Sequence, residues 1–297
     1  MKNLLKLLLL APFCIISAQA QPLAKPVTKI PEMVYEAKSP VLNLDLSVNI
    51  EDIDMSAIGT MDGKNYALII AVEDYSDRTI KKLDQPVPDA TRLQKTLHTY
   101  YTFDPQYTVL LKNPRRTDII LAFEKMAAAI TEKDNLLIFY AGHGYYDERL
   151  ELGYWLPADA VQKDRSSWFP NTILRDYIKG IRSRHTLLVA DACFSGGILK
   201  TRALSASAAI KESYAQPSRR AITSGALKEV PDKSVFIEYL IKRLEQNNAP
   251  FLPASTLYYS MKDAVINNSP NAQIPQYGEI ANSGNEGGDF VFIRKRR

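Results

Sequence analysis

Two side chains about fifty positions apart carry the chemistry that this sequence can offer. His143 stands between glycines in Tyr140-Ala141-Gly142-His143-Gly144, and Cys193 stands in Asp191-Ala192-Cys193-Phe194-Ser195-Gly196-Gly197. At neutral pH a free cysteine is only a few per cent thiolate, so it needs a partner to act as a nucleophile. An imidazole beside it can take the thiol proton, or hold the thiolate as an ion pair, and later protonate a leaving amine. Gly142 and Gly144 leave room for a substrate backbone to approach, and Gly196-Gly197 permits a sharp exit after the thiol. The backbone N–H groups of Gly144 and Cys193 could bind the oxyanion of a tetrahedral intermediate, at about 3–4 kcal/mol per donor.

Cysteine usage points to the same thiol. The chain holds two cysteines, and the first, Cys14, falls in a segment with the marks of a secretory signal peptide. Lys2 and Lys6 give a positive start, Leu4 to Ile16 is apolar apart from Lys6, and Ala18-Gln19-Ala20 supplies a small-x-small cleavage pattern. Cleavage after Ala20 is expected, with export to the periplasm or the medium and no membrane association thereafter; a retained N-terminal anchor is the competing reading. Cys193 then remains alone, without a disulfide partner. A single thiol sent to an oxidising compartment is open to oxidation and mixed disulfides. The plainer reading is a packed cysteine behaving as a small hydrophobe.

Composition is ordinary for a globular protein, with 46% hydrophobic and 24% charged residues. The formal charge of +4 falls further once Lys2 and Lys6 leave, and no dense basic stripe exists to bind nucleic acid. Arg294-Lys295-Arg296-Arg297 reads as a solvated tail.

The elements that must position the pair can be read from hydrophobic period. Residues 21–63, with Pro22, Pro26, Pro31 and Pro40, read as an extended N-terminal arm with a strand near Leu42 to Ile50. From Lys64 the pattern changes. Tyr66 to Val72, Leu136 to Tyr140 and Thr186 to Ala190 are continuous apolar runs, as in strands buried on both faces. Tyr107 to Leu111, Ala221 to Ser224 and Phe290 to Ile293 are further strand candidates. Helical spacing is expected over Asp89 to Thr102, after Thr117 as a cap, after Asn171 as a cap, over Ser234 to Gln246 and over Pro253 to Asn267. Tyr154 to Pro157 reads as a connection, and the Ser- and Ala-rich stretch Ile198 to Ser218 as a mobile loop. Strand and helix alternate, which predicts βαβ units: an α/β fold with a mostly parallel sheet and helices on both faces, an α-β-α sandwich. In such sheets functional loops lie beyond the carboxyl ends of the strands. His143 follows one buried strand and Cys193 another, so neighbouring strands would bring them to one rim.

Those two segments, at that interval, resemble the histidine and cysteine motifs of the caspase-like peptidases, closest to the bacterial metacaspase relatives known as orthocaspases. The likeness runs from Lys64 to the C-terminus. It implies a peptidase domain over residues 64–297 and a cysteine endopeptidase activity on protein or peptide substrates. Caspases carry Gln two residues before the cysteine, whereas Asp191 occupies that place here, as in metacaspases that cleave after Arg or Lys. Leu83-Asp84-Gln85-Pro86-Val87-Pro88-Asp89-Ala90 is similar to the segment that supplies a second acid to their S1 pocket. The resemblance therefore implies an S1 pocket lined by Asp89 and Asp191, with Arg or Lys at P1. Carboxylates there suit a guanidinium through charge-assisted hydrogen bonds of about 1.5–3 kcal/mol each. For Asp89 the alternative is a first-turn acid stabilising a helix dipole. Related enzymes also suggest self-cleavage within residues 198–220, where Lys200, Arg202, Lys211 and Arg219 offer basic sites. Ser234-Val235-Phe236 matches the corresponding family motif only loosely.

Many metacaspases need calcium, and Asp147, Glu148, Glu151 and Asp159 lie between the two motifs. Their spacing resembles no EF-hand loop, so Ca²⁺ stays open. Zinc is not expected, since His98, His143, His185 and Cys193 are scattered. The competing function is a binding or scaffold module without turnover. A serine hydrolase using Ser195 or Ser224 lacks the strand–G-x-S-x-G–helix context. Oligomeric state is not legible.

Overall fold

The computed structural model describes residues 63–192, 198–200, 210–225, 233–270 and 273–296. The expected signal peptide and most of the N-terminal arm lie outside these residues, as does Cys193.

The chain enters through β1 (Asn65–Ala71), crosses by α1 (Pro86–Tyr100) to β2 (Phe103–Lys112), and returns by α2 (Arg116–Ala129) to β3 (Asn135–Ala141). A small excursion follows: β4 (Gly144–Asp147), β5 (Leu152–Trp155) and β6 (Phe169–Pro170) form a three-stranded antiparallel sheet. Then come α3 (Asn171–Gly180), β7 (His185–Asp191), β8 (Leu199–Lys200), α4 (Ile210–Ala215), β9 (Ser218–Thr223) and α5 (Val235–Gln246). The end of the chain adds β10 (Phe251–Pro253), α6 (Ala254–Asn268), β11 (Gln276–Ile280) and β12 (Val291–Ile293).

The main sheet runs β2-β1-β3-β7-β9-β11-β8, parallel through β9 and antiparallel at β11 and β8. β1, β3 and β7 are buried at every position, which is why their sequences are unbroken apolar runs rather than alternations. Successive residues still serve opposite faces. Leu68, Ile70, Ile138 and Tyr140 pack with Ile119 and Phe123 of α2 and Leu174 and Ile178 of α3. Ala67, Ile69, Leu137 and Phe139 pack with Leu93 of α1, Leu240 of α5 and Met261 of α6. This is the expected α-β-α sandwich.

Local details differ from the sequence reading where side chains compete for helix ends. α1 begins at Pro86, three residues before the expected start, because proline presets the helical φ and has no N–H to leave unpaired. Thr117 does not cap α2; the helix starts at Arg116, and the Asp118 carboxylate accepts the Arg115 N–H at 2.9 Å. Asn171 is the first residue inside α3 rather than its cap, and Pro170 precedes the helix with extended geometry. Ser234 does cap α5, its Oγ accepting the Ile237 N–H at 3.3 Å. The first half of the 154–157 connection, Tyr154 and Trp155, belongs to strand β5. The stretch expected to be one mobile loop contains β8, which pairs with β11, and α4, whose Tyr214 is buried. The basic tail is held at its start: Arg294 bridges Tyr101, its guanidinium lies over the Tyr100 ring at 5.2 Å, and the Lys295 N–H donates to the Tyr100 carbonyl, while Lys295 and Arg296 are exposed.

Candidate active site

The ends of the central strands are level. Ala71 pairs with Ala141, and Ala141 with Asp191, so β1, β3 and β7 finish in one row across the sheet. His143 comes two residues after Ala141. Cys193 comes two residues after Asp191 and lies outside the described residues.

His143 is held on several sides. Its ring Nε2 is 2.7 Å from the main-chain oxygen of Lys81. A carbonyl can only accept, so Nε2 carries the proton of the neutral ring and Nδ1 is the nitrogen able to take one. The main-chain N–H donates to the Tyr75 hydroxyl at 2.9 Å, and the main-chain oxygen accepts from the Tyr140 hydroxyl at 2.6 Å and from the Leu156 N–H at 3.1 Å. Gly142 has φ +154°, and a Cβ there would lie 3.0 Å from both the Tyr140 hydroxyl and the Val72 carbonyl. Only glycine lets the chain turn so closely over these groups.

Gly144, the expected oxyanion donor, opens β4 opposite Trp155. The Leu156 N–H to His143 oxygen bond makes Gly144 and Trp155 a non-hydrogen-bonded pair, so the Gly144 N–H is directed away from β5.

Asp191 is 6% exposed, and no complete hydrogen bond reaches its Oδ1 among the described residues. Burial pushes its carboxyl up to about 6; the Ser234 and Ser224 hydroxyls oppose this, and the Asp89 charge adds to it. Ser234 also lines a cavity of about 280 Å³ with Gln85, Asp89, Arg92, Lys233 and Glu238. α1 and α5 thus bring Asp89 to the cavity that Ser234 shares, with Asp191 near both. Arg92 is held at one side by Glu245, at 3.3 and 2.8 Å. Sequence reading missed Tyr75, Lys81 and Glu238. Lys81 contributes a carbonyl, which any residue type could supply, so no side-chain pattern could have marked it.

Other expectations are relocated. Arg219 and Arg220 are not loop residues: they lie in β9 at 7% and 4% exposure. Arg219 donates to the carbonyls of Ser183 and Ser218, and Arg220 to those of Gly287 and Gly288. Cleavage after Arg219 would require a central strand to leave the sheet. Among the acids weighed for calcium, Asp147 Oδ1 accepts the N–H groups of Arg149 and Leu150 and its Oδ2 pairs with Arg165, while Asp159 accepts the Arg116 N–H. Among the described residues no three His, Cys, Asp or Glu side chains gather as a metal site, and no helix is long and apolar enough to cross a membrane. His185 is fully buried between Ser218 and Tyr214, and His98 lies in α1.

Comparison with known proteins gives the same architecture a place. A family model of the caspase domain matches residues 64–281, well over half of the chain. The chain belongs to the caspase-domain family. Among solved structures, this caspase domain is similar to caspase-1 from Spodoptera frugiperda, with TM-score 0.54 and 16% identity over 73% of this chain and 87% of that one. It is also similar to a Geobacter sulfurreducens protein, with TM-score 0.50 and 17% identity over 72% of this chain and 92% of that one. At such identities the likeness is one of fold. No curated protein matches the chain in sequence.

Proposed function

We propose that this caspase domain is an active cysteine endopeptidase that cleaves after Arg or Lys, with Cys193 as nucleophile and His143 as its proton-transfer partner. The observation that carries the reading is the pairing of Ala141 with Asp191, which starts both catalytic segments from level, adjacent strand ends. Lys81 fixes the Nε2 proton, so Nδ1 is the basic nitrogen available to a thiol. After attack, the Gly144 and Cys193 N–H groups receive the oxyanion, and the imidazolium gives its proton to the leaving amine.

Specificity for a basic P1 residue rests on Asp89 and Asp191. Asp191 is a buried carboxylate whose Oδ1 has no hydrogen-bond partner among the described residues, so it gains most from a guanidinium or ammonium, and an acidic P1 side chain would be repelled. Self-processing belongs to the stretch between Lys200 and Lys211 rather than to β9. Export after removal of residues 1–20 completes the reading. Its test is trapping with an Arg-terminated peptidyl chloromethyl ketone. A covalent adduct on Cys193, absent with an Asp-terminated analogue, is the expected result. No adduct from either would leave a binding module as the function, and an adduct only from the Asp analogue would overturn the pocket assignment.

A further inference from the structure

Both main-chain polar groups of His143 are taken by phenols from elements on either side of it. Tyr75, 3% exposed, sits in the connection from β1 to α1; its hydroxyl accepts the His143 N–H and donates to the Val72 carbonyl at 3.2 Å. Tyr140, fully buried, reaches from β3 back under the chain to the His143 carbonyl, its ring stacked on Trp155 at 4.3 Å. The Tyr75 ring also lies 5.3 Å from the imidazole. Burial raises the Tyr75 pKa far above the ordinary phenol value, so its hydroxyl keeps the proton it donates.

We propose that Tyr75 and Tyr140 are positioning residues for the His143 imidazole, acting through its main chain; the inference rests on the peptidase reading above. A peptide unit free to rotate swings Cβ and the ring with it, and a misplacement of about 1 Å can cost about 100-fold in rate. The two tyrosines are not equivalent. The His143 carbonyl keeps the Leu156 N–H when the Tyr140 hydroxyl is removed, whereas Tyr75 is the only partner found for the His143 N–H among the described residues. Tyr75 also shares its connection with Lys81, whose carbonyl orients the ring, so one segment carries both attachments of His143. The φ of Gly142 and its approach to the Tyr140 hydroxyl tie the glycine before the histidine to the same clamp.

The test uses the intact chain with Tyr75→Phe, Tyr140→Phe and, as a control, Tyr66→Phe, whose hydroxyl faces the Ala129 carbonyl at 3.4 Å. Three quantities are read: alkylation of Cys193 by iodoacetamide against pH, followed by mass spectrometry; kcat and KM on an Arg-terminated peptide; and Tm. Tyr75→Phe is expected to lower kcat about 10- to 100-fold with KM within about twofold, and to move the alkylation curve toward that of His143→Ala. Tyr140→Phe has a smaller effect in the same direction, and Tyr66→Phe has none. If Tyr75→Phe does not fold, the Tyr140→Phe curve decides. An unshifted curve in the folded variant, or an equal shift in Tyr66→Phe, overturns the clamp alone. A His143→Ala curve identical to wild type overturns the peptidase reading and the clamp with it.

Discussion

Ala141 of β3 and Asp191 of β7 are direct partners in a parallel pairing that stays in register from Asn135 and His185 onward. Because neither strand bulges, each chain leaves the sheet at the same height. The histidine segment and the cysteine segment therefore depart from adjacent points, although about fifty residues separate them in sequence.

Removing either reacting group tests the chemistry directly. Cys193→Ala and His143→Ala are each expected to lower kcat/KM on Arg-terminated peptides by at least about 1,000-fold. Hydrolysis by Cys193→Ala at wild-type rate would assign the activity elsewhere.

Asp191→Asn is expected to trade binding for stability. With its folded pKa raised to about 6, the carboxyl holds its proton more tightly in the native state than in the unfolded chain. Stability is therefore fully present below the unfolded value and lost as pH rises through about 6. Above that pH the Asn variant should be more stable than wild type, by as much as about 3 kcal/mol in urea unfolding. KM for basic peptides should rise about 10-fold or more. For wild type the same KM should worsen as pH falls below 6, when the pocket acid is protonated.

His185 sets the opposite limit. Its Nε2 faces the Tyr214 carbonyl at 3.0 Å and its Nδ1 the Ser218 hydroxyl at 2.8 Å, and burial lowers its pKa to about 3, helped by Arg184 and Arg219. Here the unfolded chain binds the proton more tightly, so stability is present above the ordinary histidine value and is lost as pH falls toward 3. His185 departs further from its ordinary value than Asp191 does, so its loss should win below about pH 4. Tm should drop across that range. His185→Gln should be less stable at pH 7 yet show a shallower acid decline; a parallel decline would remove His185 from the account.

Self-cleavage, read by N-terminal sequencing of nicked protein, should map to bonds after Lys200, Arg202 or Lys211 and not after Arg219 or Arg220. It should be missing from Cys193→Ala. New termini at Ala221 would mean that β9 leaves the sheet before processing.

Much of the frame could be read from the sequence because the central strands are buried on both faces, and only unbroken apolar runs such as Tyr66 to Val72 satisfy that. The small sheet was hidden because β4 and β5 span four residues each, too short for a period to show. Arg219 and Arg220 misled for a different reason. Charge suggests a loop, yet the guanidinium N–H groups are satisfied by hydrogen bonds to carbonyls that only the folded chain brings near. The proposed site divides in the same way. His143, Cys193, Asp89 and Asp191 stand out by residue type, while the Lys81 carbonyl and the Tyr75 hydroxyl meet His143 from positions that no local pattern encodes.

β8 is only two residues long, but it hydrogen-bonds to β11, a strand contributed from near the other end of the chain. Scission between Lys200 and Ile210 would therefore leave the upstream piece gripped by β1, β3, β7 and β8 and the downstream piece by β9 and β11. Two bands would separate on a denaturing gel, while size-exclusion chromatography would still report one undissociated particle.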